Sequence, residues 1–325
     1  MMTNIYKTIL ARLTSGQASL LTSRYSLQGV ERSLTEPDPG TPGGLAFTAE
    51  GDSLTLTECF RPRPRLVILG GGHIALPLCR FGAMLGWEVW VYDDRPSFAN
   101  PGRFPDASRV ICDEFINMSD RLRLRGGDYV TILTRGHRHD IFCLQGILDT
   151  SGPVPHYVGM IGSKRRVAIV KEEVAKITGR GDLLDNLHAP IGLPIGSVTP
   201  TEIALSIMAE MVQVKRNAYP QDGGTDLDLL RRLAEPEAGI VSLVTIVSTQ
   251  GSTPREAGAK MAITATGEVV GSIGGGCAEA DVIRRARELS DQGGYGALEV
   301  DLTDSAEADG MVCGGRMVVL IETVL

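Results

Sequence analysis

Short apolar runs alternate with segments of helical periodicity through the middle of the chain. The apolar runs predict strands at 66–70, 87–93, 109–112, 128–134 and 156–162. Apolar positions at helical spacing predict helices at 73–86, about 139–149, 163–178 and 199–217. Strands that alternate with helices are typical of parallel βαβ units. We therefore predict an α/β fold, with a Rossmann-like parallel-sheet domain over 65–220.

The pattern differs on either side of this domain. Residues 1–64 are predicted to form an N-terminal segment, with an amphipathic stretch at 5–13 and a hairpin at 46–60 about an EGD turn. Residues 236–325 are predicted to form a smaller α+β domain. Its predicted elements are a strand at 242–248, a hairpin at 260–273, a helix at 278–290 and two closing strands.

Composition narrows the class of protein. The chain has 325 residues, of which 43% are hydrophobic and 22% charged, as expected of a soluble globular protein. Its net charge of −7 argues against broad nucleic-acid binding, which needs a basic face. No apolar run approaches the roughly 20 residues that span a bilayer, and the N-terminus lacks the apolar core of a signal peptide. Six cysteines without CxxC pairing suggest reduced thiols. We expect a cytoplasmic protein with neither nucleic-acid nor membrane partners.

The segment LVILGGGHIA carries a dinucleotide-type fingerprint. Gly70 and Gly72 fall where a Rossmann loop needs its first two glycines, and Ala75 takes the third position. Asp93 ends the next predicted strand, where a carboxylate can bind ribose hydroxyls. His73 starts the helix, where a neutral imidazole either contacts a phosphate or closes the turn. The alternative is a Rossmann domain that has kept the turn and lost its nucleotide.

Two further loops follow predicted strands of the same sheet. In RGHRHD, His137, His139 and Asp140 offer a metal or proton-transfer group, or a polar loop that caps the next helix through Asp140. GMIGSKRR at 159–166 ends the fifth predicted strand in a glycine-containing turn. There, Gly162, Ser163, Lys164 and Arg165 suit an anion, and the alternative is an ordinary basic first helical turn.

Longer motifs connect the two domains. The small domain contains TQGSTPREAGAKM (249–261), GSIGGGCAE (271–279) and MVCGGRMVVLIE (311–322). Together with LVILGGGHIA, YVGMIGSKRR and HAPIGLPIGSVTPTEIALSIMAEMV (188–212), these segments closely resemble the XdhC/CoxI family of xanthine dehydrogenase accessory proteins. The resemblance covers about 66–217 and 240–325.

The resemblance implies a maturation factor for molybdenum hydroxylases. Such a factor binds molybdenum cofactor, as molybdopterin or its dinucleotide form, protects it during sulfuration and passes it to the apo-enzyme. A molybdenum hydroxylase apo-enzyme and a cysteine desulfurase are the implied partners. The family's glycine and cysteine motifs fall here on Gly274, Gly275, Gly276, Cys277 and Glu279, and on Cys313 with its two following glycines.

Residue chemistry in the small domain agrees with a cofactor site. Glycine-rich turns let backbone amides converge on an oxyanion. Cys277 starts a predicted helix, where the helix N-terminus favours the thiolate, a soft ligand suited to molybdenum or to sulfur transfer. Arg255 and Lys260 supply possible counter-charge to a pterin phosphate. The alternative for GGGCAE is a hairpin-to-helix turn with a small apolar cysteine, and for Cys313 a structural position at a strand edge.

The domain order departs from that of the family, in which the small domain usually precedes the Rossmann-like one. Here it follows, and residues 1–60 resemble a shortened or diverged piece of the small domain without its glycine motifs. We therefore expect an intertwined homodimer or a rearranged interface. Three functions stay open: a cofactor-binding chaperone, an NAD(P)-dependent oxidoreductase that uses Gly70, Gly72 and Asp93, and a scaffold with a vestigial nucleotide site.

Overall fold

The computed structural model describes residues 2–38, 41, 43–51, 53–148, 153–179, 181–219, 226–302 and 315–324, with the backbone alone at 2–3, 182–183, 236 and 276–278. The chain packs as two compact units. One, the parallel-sheet unit, is Arg63–Lys215, and the other, the antiparallel unit, combines Met1–Pro62 with Arg216–Leu325. The three ranges expected from the sequence are thus grouped into two. In the described residues no helix has both the length and the apolar character needed to span a bilayer.

The amino-terminal part of the antiparallel unit is a helix followed by a four-stranded antiparallel sheet of order β2-β1-β4-β3. The predicted hairpin at 46–60 is confirmed as β3 and β4. The first two strands were not predicted, because polar residues interrupt them and β2 has no buried position. The elements are α1 (Met2–Thr14), β1 (Ser19–Ser26), β2 (Gly29–Thr35), β3 (Gly44–Glu50) and β4 (Ser53–Phe60).

The parallel-sheet unit contains five parallel strands with helices on both faces, and the predicted Rossmann-like architecture is confirmed. Its strands are β5 (Arg65–Leu69), β6 (Glu88–Asp93), β7 (Arg109–Cys112), β8 (Asp128–Ile132) and β9 (Tyr157–Met160). Its helices are α2 (Ala75–Met84), α3 (Met118–Leu122), α4 (His137–Leu148), α5 (Lys164–Thr178) and α6 (Pro200–Ala218). All residues of β5 and β8 are buried, which explains their continuous apolar runs.

Strand order decides where the candidate residues meet. The order is β7-β6-β5-β8-β9, so the chain reverses direction across the sheet between β5 and β8. In open α/β sheets ligands bind at such a switch point, beside the carboxyl ends of the strands. The glycine loop, Asp93, the RGHRHD loop and the GSKRR segment all follow strand ends at this edge.

The opposite edge of the sheet holds an unexpected ion pair. Arg65 ends the RPRPR segment at 61–65 and is only 3% exposed. Its Nε donates to Asp128 at 2.9 Å, and its guanidinium lies 4.4 Å from the ring centre of Trp90. A buried cation needs such a partner, and the sequence pattern could not identify it because Asp128 is 63 residues away.

The carboxyl-terminal part of the antiparallel unit has a five-stranded antiparallel sheet of order β12-β11-β10-β14-β13. The predicted strands, hairpin and helix are all present. The short helix α7 was not predicted. The elements are α7 (Leu227–Ala234), β10 (Ile240–Gln250), β11 (Lys260–Thr264), β12 (Val269–Gly271), α8 (Gly276–Gln292), β13 (Tyr295–Asp301) and β14 (Arg316–Thr323).

Residues from both ends of the chain share the cores of this unit. Tyr6, Ile9 and Leu13 of α1 pack with leucines of α7 and with Leu243 of β10. Tyr25 packs with Leu320 of β14 in a second cluster, and its ring lies 5.0 Å from that of Tyr295. The amino-terminal segment is therefore part of the hydrophobic core of the carboxyl-terminal strands.

A buried polar network also joins the two sheets of this unit. The Lys260 ammonium lies 2.5 Å from a Glu58 carboxylate oxygen and 2.8 Å from the Thr245 hydroxyl. Glu322, whose pKa is raised by burial, accepts a hydrogen bond from Tyr25 at 3.1 Å and pairs with Arg32. Buried charges are tolerated only when they are paired in this way.

Removing one partner of the Lys260–Glu58 pair should be costly. We expect Glu58→Leu alone, or Lys260→Met alone, to lower the free energy of unfolding by about 3–5 kcal/mol, because each leaves a buried charge unpaired. The double variant leaves no charge and should recover most of that loss. Urea denaturation followed by circular dichroism measures all three.

The matched control is Arg231→Met, which breaks an exposed pair with Asp228 in the same unit, with side chains 54% and 82% exposed. Its effect should stay below about 0.5 kcal/mol. A double variant as unstable as the sum of the two single variants would contradict the prediction.

Candidate functional site

In the glycine loop after β5, Gly70 and Gly71 each lie close to another backbone segment. Gly70 has φ of 113°, and a Cβ there would lie 2.5 Å from the Leu133 carbonyl oxygen. A Cβ on Gly71 would lie 2.6 Å from the Phe98 carbonyl oxygen. Gly72 differs, because a Cβ built on it meets nothing within 4 Å. Its position is therefore the one in this loop that leaves room for a ligand.

The helix that follows offers unpaired donors to such a ligand. Ala75 is fully buried and begins α2, as the small third position of the fingerprint requires. Ile74 is the N-cap and contributes no side-chain hydrogen bond. His73 precedes it and is exposed. A helix N-terminus without a side-chain cap presents N–H groups and a positive dipole end to an anion.

Asp93 holds the loop in place. Its side chain is 1% exposed, and its Oδ2 accepts the Gly71 N–H at 2.8 Å. Oδ1 accepts from the backbone and Nε of Arg95 at 3.0 and 2.8 Å, and Oδ2 accepts from Arg95 Nη2 at 2.9 Å. Four donors fill the lone pairs of a carboxylate. The geometry therefore favours an internal anchor over the ribose contact expected of Asp93.

A second ion pair crosses the same edge. Asp94 follows β6, and Arg135 follows β8, so their side chains meet over β5, the strand between them. The pair is bidentate, with N···O distances of 2.6 and 2.8 Å. Hydrogen bonds from Arg135 lower the pKa of Asp94 to about 2. Arg135 is 44% exposed and stands beside the glycine loop as a cation that an incoming anion can reach.

The RGHRHD loop does not gather a metal site in the described part of the chain. His137 begins α4 and is exposed, whereas the ring of His139 lies 5.2 Å from that of Phe115. Asp140 is fully buried and accepts from Thr134 Oγ1 at 2.6 Å and from Arg166 Nε at 2.8 Å. Asp140 thus ties α4 to α5. No group of three His, Cys, Asp or Glu suited to a metal ion occurs among the described residues.

The GSKRR segment forms a capped, basic helix start. Ser163 is the N-cap of α5, and its hydroxyl accepts the Arg166 N–H at 3.3 Å. Lys164 and Arg165 are exposed in the first turn. A Cβ on Gly162 would lie 3.2 Å from Arg166 Cδ, so the glycine leaves room for that side chain. Lys164 and Arg165 form no ion pair with any described residue, and together with the N–H groups of the helix start they suit an anion.

In the antiparallel unit the glycine turn is closed by its own acid. Gly274 and Gly275 have φ of 136° and 77°, values that favour glycine. Glu279 Oε2 accepts the Gly275 N–H at 2.6 Å and the Ser272 hydroxyl at 3.1 Å. Gly276 and Cys277 are the first two residues of α8. The Cys277 side chain and all of Cys313 lie outside the described residues.

The two basic candidates of this unit differ. Arg255 is exposed, as a phosphate-binding residue needs to be. Lys260 is paired with Glu58 and Thr245, and its side chain is 8% exposed. The geometry favours an internal ion pair for Lys260 over the expected contact with a phosphate, because leaving Glu58 would strand a buried carboxylate.

One further cluster of polar side chains was not predicted from the sequence. Tyr157, His188 and Glu210 meet beside β9, with the Tyr157 hydroxyl 2.5 Å from Glu210 Oε2. His188 and Glu210 both lie in the long motif at 188–212. That motif contributed to the family resemblance. His188 and Glu210 are 22 residues apart in it, however, so their spacing did not indicate that the two side chains meet.

Fold and site together define a Rossmann-type parallel-sheet unit with a candidate anion site at one sheet edge, in a chain that also contains an α+β unit. Residues 66–211 match the family described as the XdhC Rossmann domain, and residues 237–301 match the XdhC and CoxI family. The chain therefore belongs to the XdhC/CoxI family, and its domains follow the order predicted from the motifs.

Three relatives illustrate the similarity. YqeB of Escherichia coli K12 is 32% identical over 48% of this chain and 28% of its own length. A Bacillus subtilis 168 protein, named as a probable subunit of xanthine dehydrogenase, is 28% identical over 48% of this chain and 44% of its own. A crystal structure described as a xanthine dehydrogenase from Bacillus halodurans has TM-score 0.52 and 25% identity, and covers 69% of this chain and 66% of that one. The chain thus spans less than half of the two curated relatives.

The Asp94–Arg135 pair predicts an acid-dependent change in stability. Since the pKa of Asp94 is lowered to about 2 in the folded chain, its contribution is complete above about pH 5 and is lost as pH falls through 2. We expect Asp94→Asn to lower the free energy of unfolding by about 0.2–1 kcal/mol at pH 6, because Arg135 is partly exposed. At pH 2.5 the difference from the wild type should shrink.

A double-mutant cycle with Arg135→Gln provides the control. The coupling between the two substitutions, measured by urea unfolding, should fall with pH in the same range. A coupling that is the same at pH 6 and pH 2.5 would show that the ion pair does not stabilise the fold.

Proposed function

We propose that this protein is an accessory protein for a xanthine dehydrogenase-type molybdenum hydroxylase, which binds molybdenum cofactor and assists its sulfuration and insertion. One observation carries the proposal. The glycine loop, with open space at Gly72, lies at the same sheet edge as the exposed cations Arg135, Lys164 and Arg165. That edge suits the phosphate end of a phosphorylated cofactor. Membership of the XdhC/CoxI family and the names of the relatives support the same interpretation.

The residues present fit the phosphate portion of this cofactor. The backbone N–H groups at the start of α2 would bind phosphate oxygens, while Lys164 and Arg165 would neutralise their charge. When bound, the cofactor supplies the molybdenum centre that the hydroxylase uses. The backbone placement of Cys277 at the second position of α8 agrees with a thiolate near a helix N-terminus, available for the metal or for sulfur transfer.

The competing function is an NAD(P)-dependent oxidoreductase built on the parallel-sheet unit. It needs Asp93 to bind a ribose and a catalytic acid or base beside the nicotinamide. Asp93 already accepts four hydrogen bonds, and Asp140 is buried against Arg166. These contacts favour a cofactor held through its phosphates over a nicotinamide nucleotide held through its ribose.

The partners of the proposed function are the apo-form of a molybdenum hydroxylase and a cysteine desulfurase that supplies sulfur. We also propose a homodimer in the cytoplasm, since the family's usual domain order is changed here. A monomeric mass by light scattering at working concentration would count against the dimer.

Filling the space at Gly72 should block the cofactor. Gly72→Val introduces a side chain where a Cβ meets no protein atom, so the fold should be kept and molybdenum cofactor should be retained at least 10-fold less tightly. The measurement is gel filtration of the full chain after incubation with cofactor released from a donor enzyme, with molybdenum and pterin quantified. NADH and NADPH are titrated in parallel.

Gly127→Val is the matched control, because Gly127 also has open space and lies at the start of β8, at the other sheet edge. Retention by Gly72→Val equal to that of the control would remove the main support for the proposal. Tight binding of NADH or NADPH with turnover of a substrate would instead support the NAD(P)-dependent oxidoreductase.

The thiol can be tested separately. We expect Cys277→Ala to fold normally and to lose cofactor retention or sulfuration, because a soft ligand is removed. Cys112→Ala, which removes an exposed thiol at the end of β7, serves as the control. Undiminished retention and sulfuration in Cys277→Ala would refute a role for this thiol.

A further inference from the structure

Exposed arginines are concentrated at the amino ends of the parallel strands, at the sheet edge opposite to the glycine loop. The segment from 121 to 125 reads RLRLR, in a chain whose net charge is −7. It contains the end of α3 and the turn that leads to β8. Arg109 is the first residue of the neighbouring strand β7. The proposed function uses none of these residues.

A cavity of about 530 Å³ opens at this edge. Among the described residues, its lining consists of five arginines, Trp90, Asp120 and Leu122. The volume is in the range of small-molecule sites. The cavity therefore combines the size of a ligand site with a strong excess of positive charge.

The register of the sheet places two of the guanidinium groups beside one indole ring. Trp90 of β6 and Arg109 of β7 are directly paired, so their side chains share one face of the sheet. The Arg109 guanidinium lies 4.7 Å from the centre of the Trp90 ring, and that of Arg65 lies 4.4 Å from it. Trp90 is therefore a fixed reference point for the cationic wall of the cavity.

Two of the five arginines already have carboxylate partners. Arg65 pairs with Asp128, and Arg121 Nε lies 2.6 Å from Asp113 Oδ2. The other three are exposed and form no ion pair with any described residue, and they are Arg109, Arg123 and Arg125. Asp120 is the one acid in the described lining. Three unpaired guanidinium groups thus stand beside one carboxylate.

Arg123 ends α3 in a backbone conformation that usually requires glycine. Its φ is 43° and its ψ is 70°, and it is the one non-glycine residue with positive φ among those described. Its carbonyl accepts from Arg65 Nη2 at 3.2 Å, and the Arg125 N–H donates to Asp128 Oδ2 at 2.7 Å, so the turn is held at the cavity. A long side chain kept at a strained position beside a cavity points to a role in binding.

The number and placement of the unpaired arginines indicate the kind of anion. They come from the start of β7, the end of α3 and the turn before β8. A side-chain carboxylate has two oxygens and one charge, and a bidentate contact with one guanidinium uses both oxygens. Three guanidinium groups need an anion with more oxygens and more charge, which phosphate groups supply. The cavity is also small beside a protein–protein contact, which covers about 800 Å² of each partner.

We propose that this cavity binds a compact multivalent phosphate, such as a pyrophosphate group, with Arg109, Arg123 and Arg125 as its cationic ligands. The group is either free pyrophosphate or the diphosphate of a nucleotide. The site lies at the sheet edge opposite to the glycine loop, and the inference does not depend on the proposed function.

Trp90 provides a signal that is local to this cavity. The chain has two tryptophans, so Trp87→Phe in the full chain leaves Trp90 as the only one. We expect pyrophosphate and ADP, titrated separately, to change the Trp90 emission, at least one of them with a dissociation constant below about 1 mM. The tighter probe identifies the source of the phosphate group. Calorimetry on the wild type checks the same affinities without the Trp87 substitution.

The absence of binding of either probe would overturn the proposal. Binding that calorimetry detects while the Trp90 emission stays unchanged would overturn it too, because the probe would then occupy another site. Citrate, a multivalent carboxylate, should bind more weakly, and an affinity equal to that of pyrophosphate would contradict the assignment to phosphate.

Arg123→Gly separates a binding role from a structural one. Glycine suits the backbone at this position, so the melting temperature should be unchanged or higher. The affinity for the probe, measured by calorimetry, should fall by about 10-fold or more, because a charged hydrogen-bond donor is lost. Arg109→Gln should lower the affinity by a similar factor. Unchanged affinity in either variant would overturn the proposal.

The matched control is Arg80→Gln, which removes an exposed arginine of α2 that does not line the cavity. Its side chain is 69% exposed, so the substitution changes the net charge by the same amount as Arg109→Gln. The probe affinity should stay that of the wild type. A loss as large as that in Arg109→Gln would show that only the overall charge matters and would refute the site.

Discussion

The buried carboxylate of Asp93 is the contact on which the candidate edge depends. A carboxylate that is only 1% exposed is stable only when its oxygens accept hydrogen bonds. Here the donors are the backbone N–H of Gly71 and the Arg95 side chain. This requirement fixes the glycine loop close to the end of β6. It also explains why an acid at the fingerprint position does not by itself indicate a ribose site, since the same carboxylate can serve the loop from within.

In the antiparallel unit, too, buried charges are paired, and the partners come from opposite ends of the chain. Lys260 and Glu322 belong to the carboxyl-terminal strands, and their partners Glu58 and Arg32 come from the amino-terminal sheet. Without residues 1–62 these two charges would be buried alone or left on an exposed sheet face. The amino-terminal segment is therefore needed for charge pairing as well as for apolar packing, although its sequence shows none of the glycine motifs of the family.

Periodicity predicted the parallel-sheet unit well because its central strands β5 and β8 are buried on both faces and read as apolar runs. It failed for β2, where no residue is buried and the pattern is polar. The glycine turn at Gly70 and the helix start at Ser163 were predicted from the sequence because turns and helix starts have local signatures.

Roles that depend on a distant partner could not be predicted in the same way. Lys260 is paired with a residue about 200 positions earlier, and His188 contacts the carboxylate of Glu210 on α6. In both cases the residue type is visible in the sequence, whereas the contact that decides its chemistry is created only by the tertiary fold. The expectation for Lys260 rested on its charge alone, and burial changed the use of that charge.

The pairing of the chain's two ends has a consequence for synthesis on the ribosome. Glu58 emerges roughly 200 residues before Lys260, and at about 5–20 residues per second this interval is about 10–40 s. During that time the whole parallel-sheet unit is synthesised, while the first four strands lack the partners of their core. A nascent chain in this state exposes the apolar faces of strands such as β1 and β4, and it is the stage at which a holding chaperone would protect the protein most.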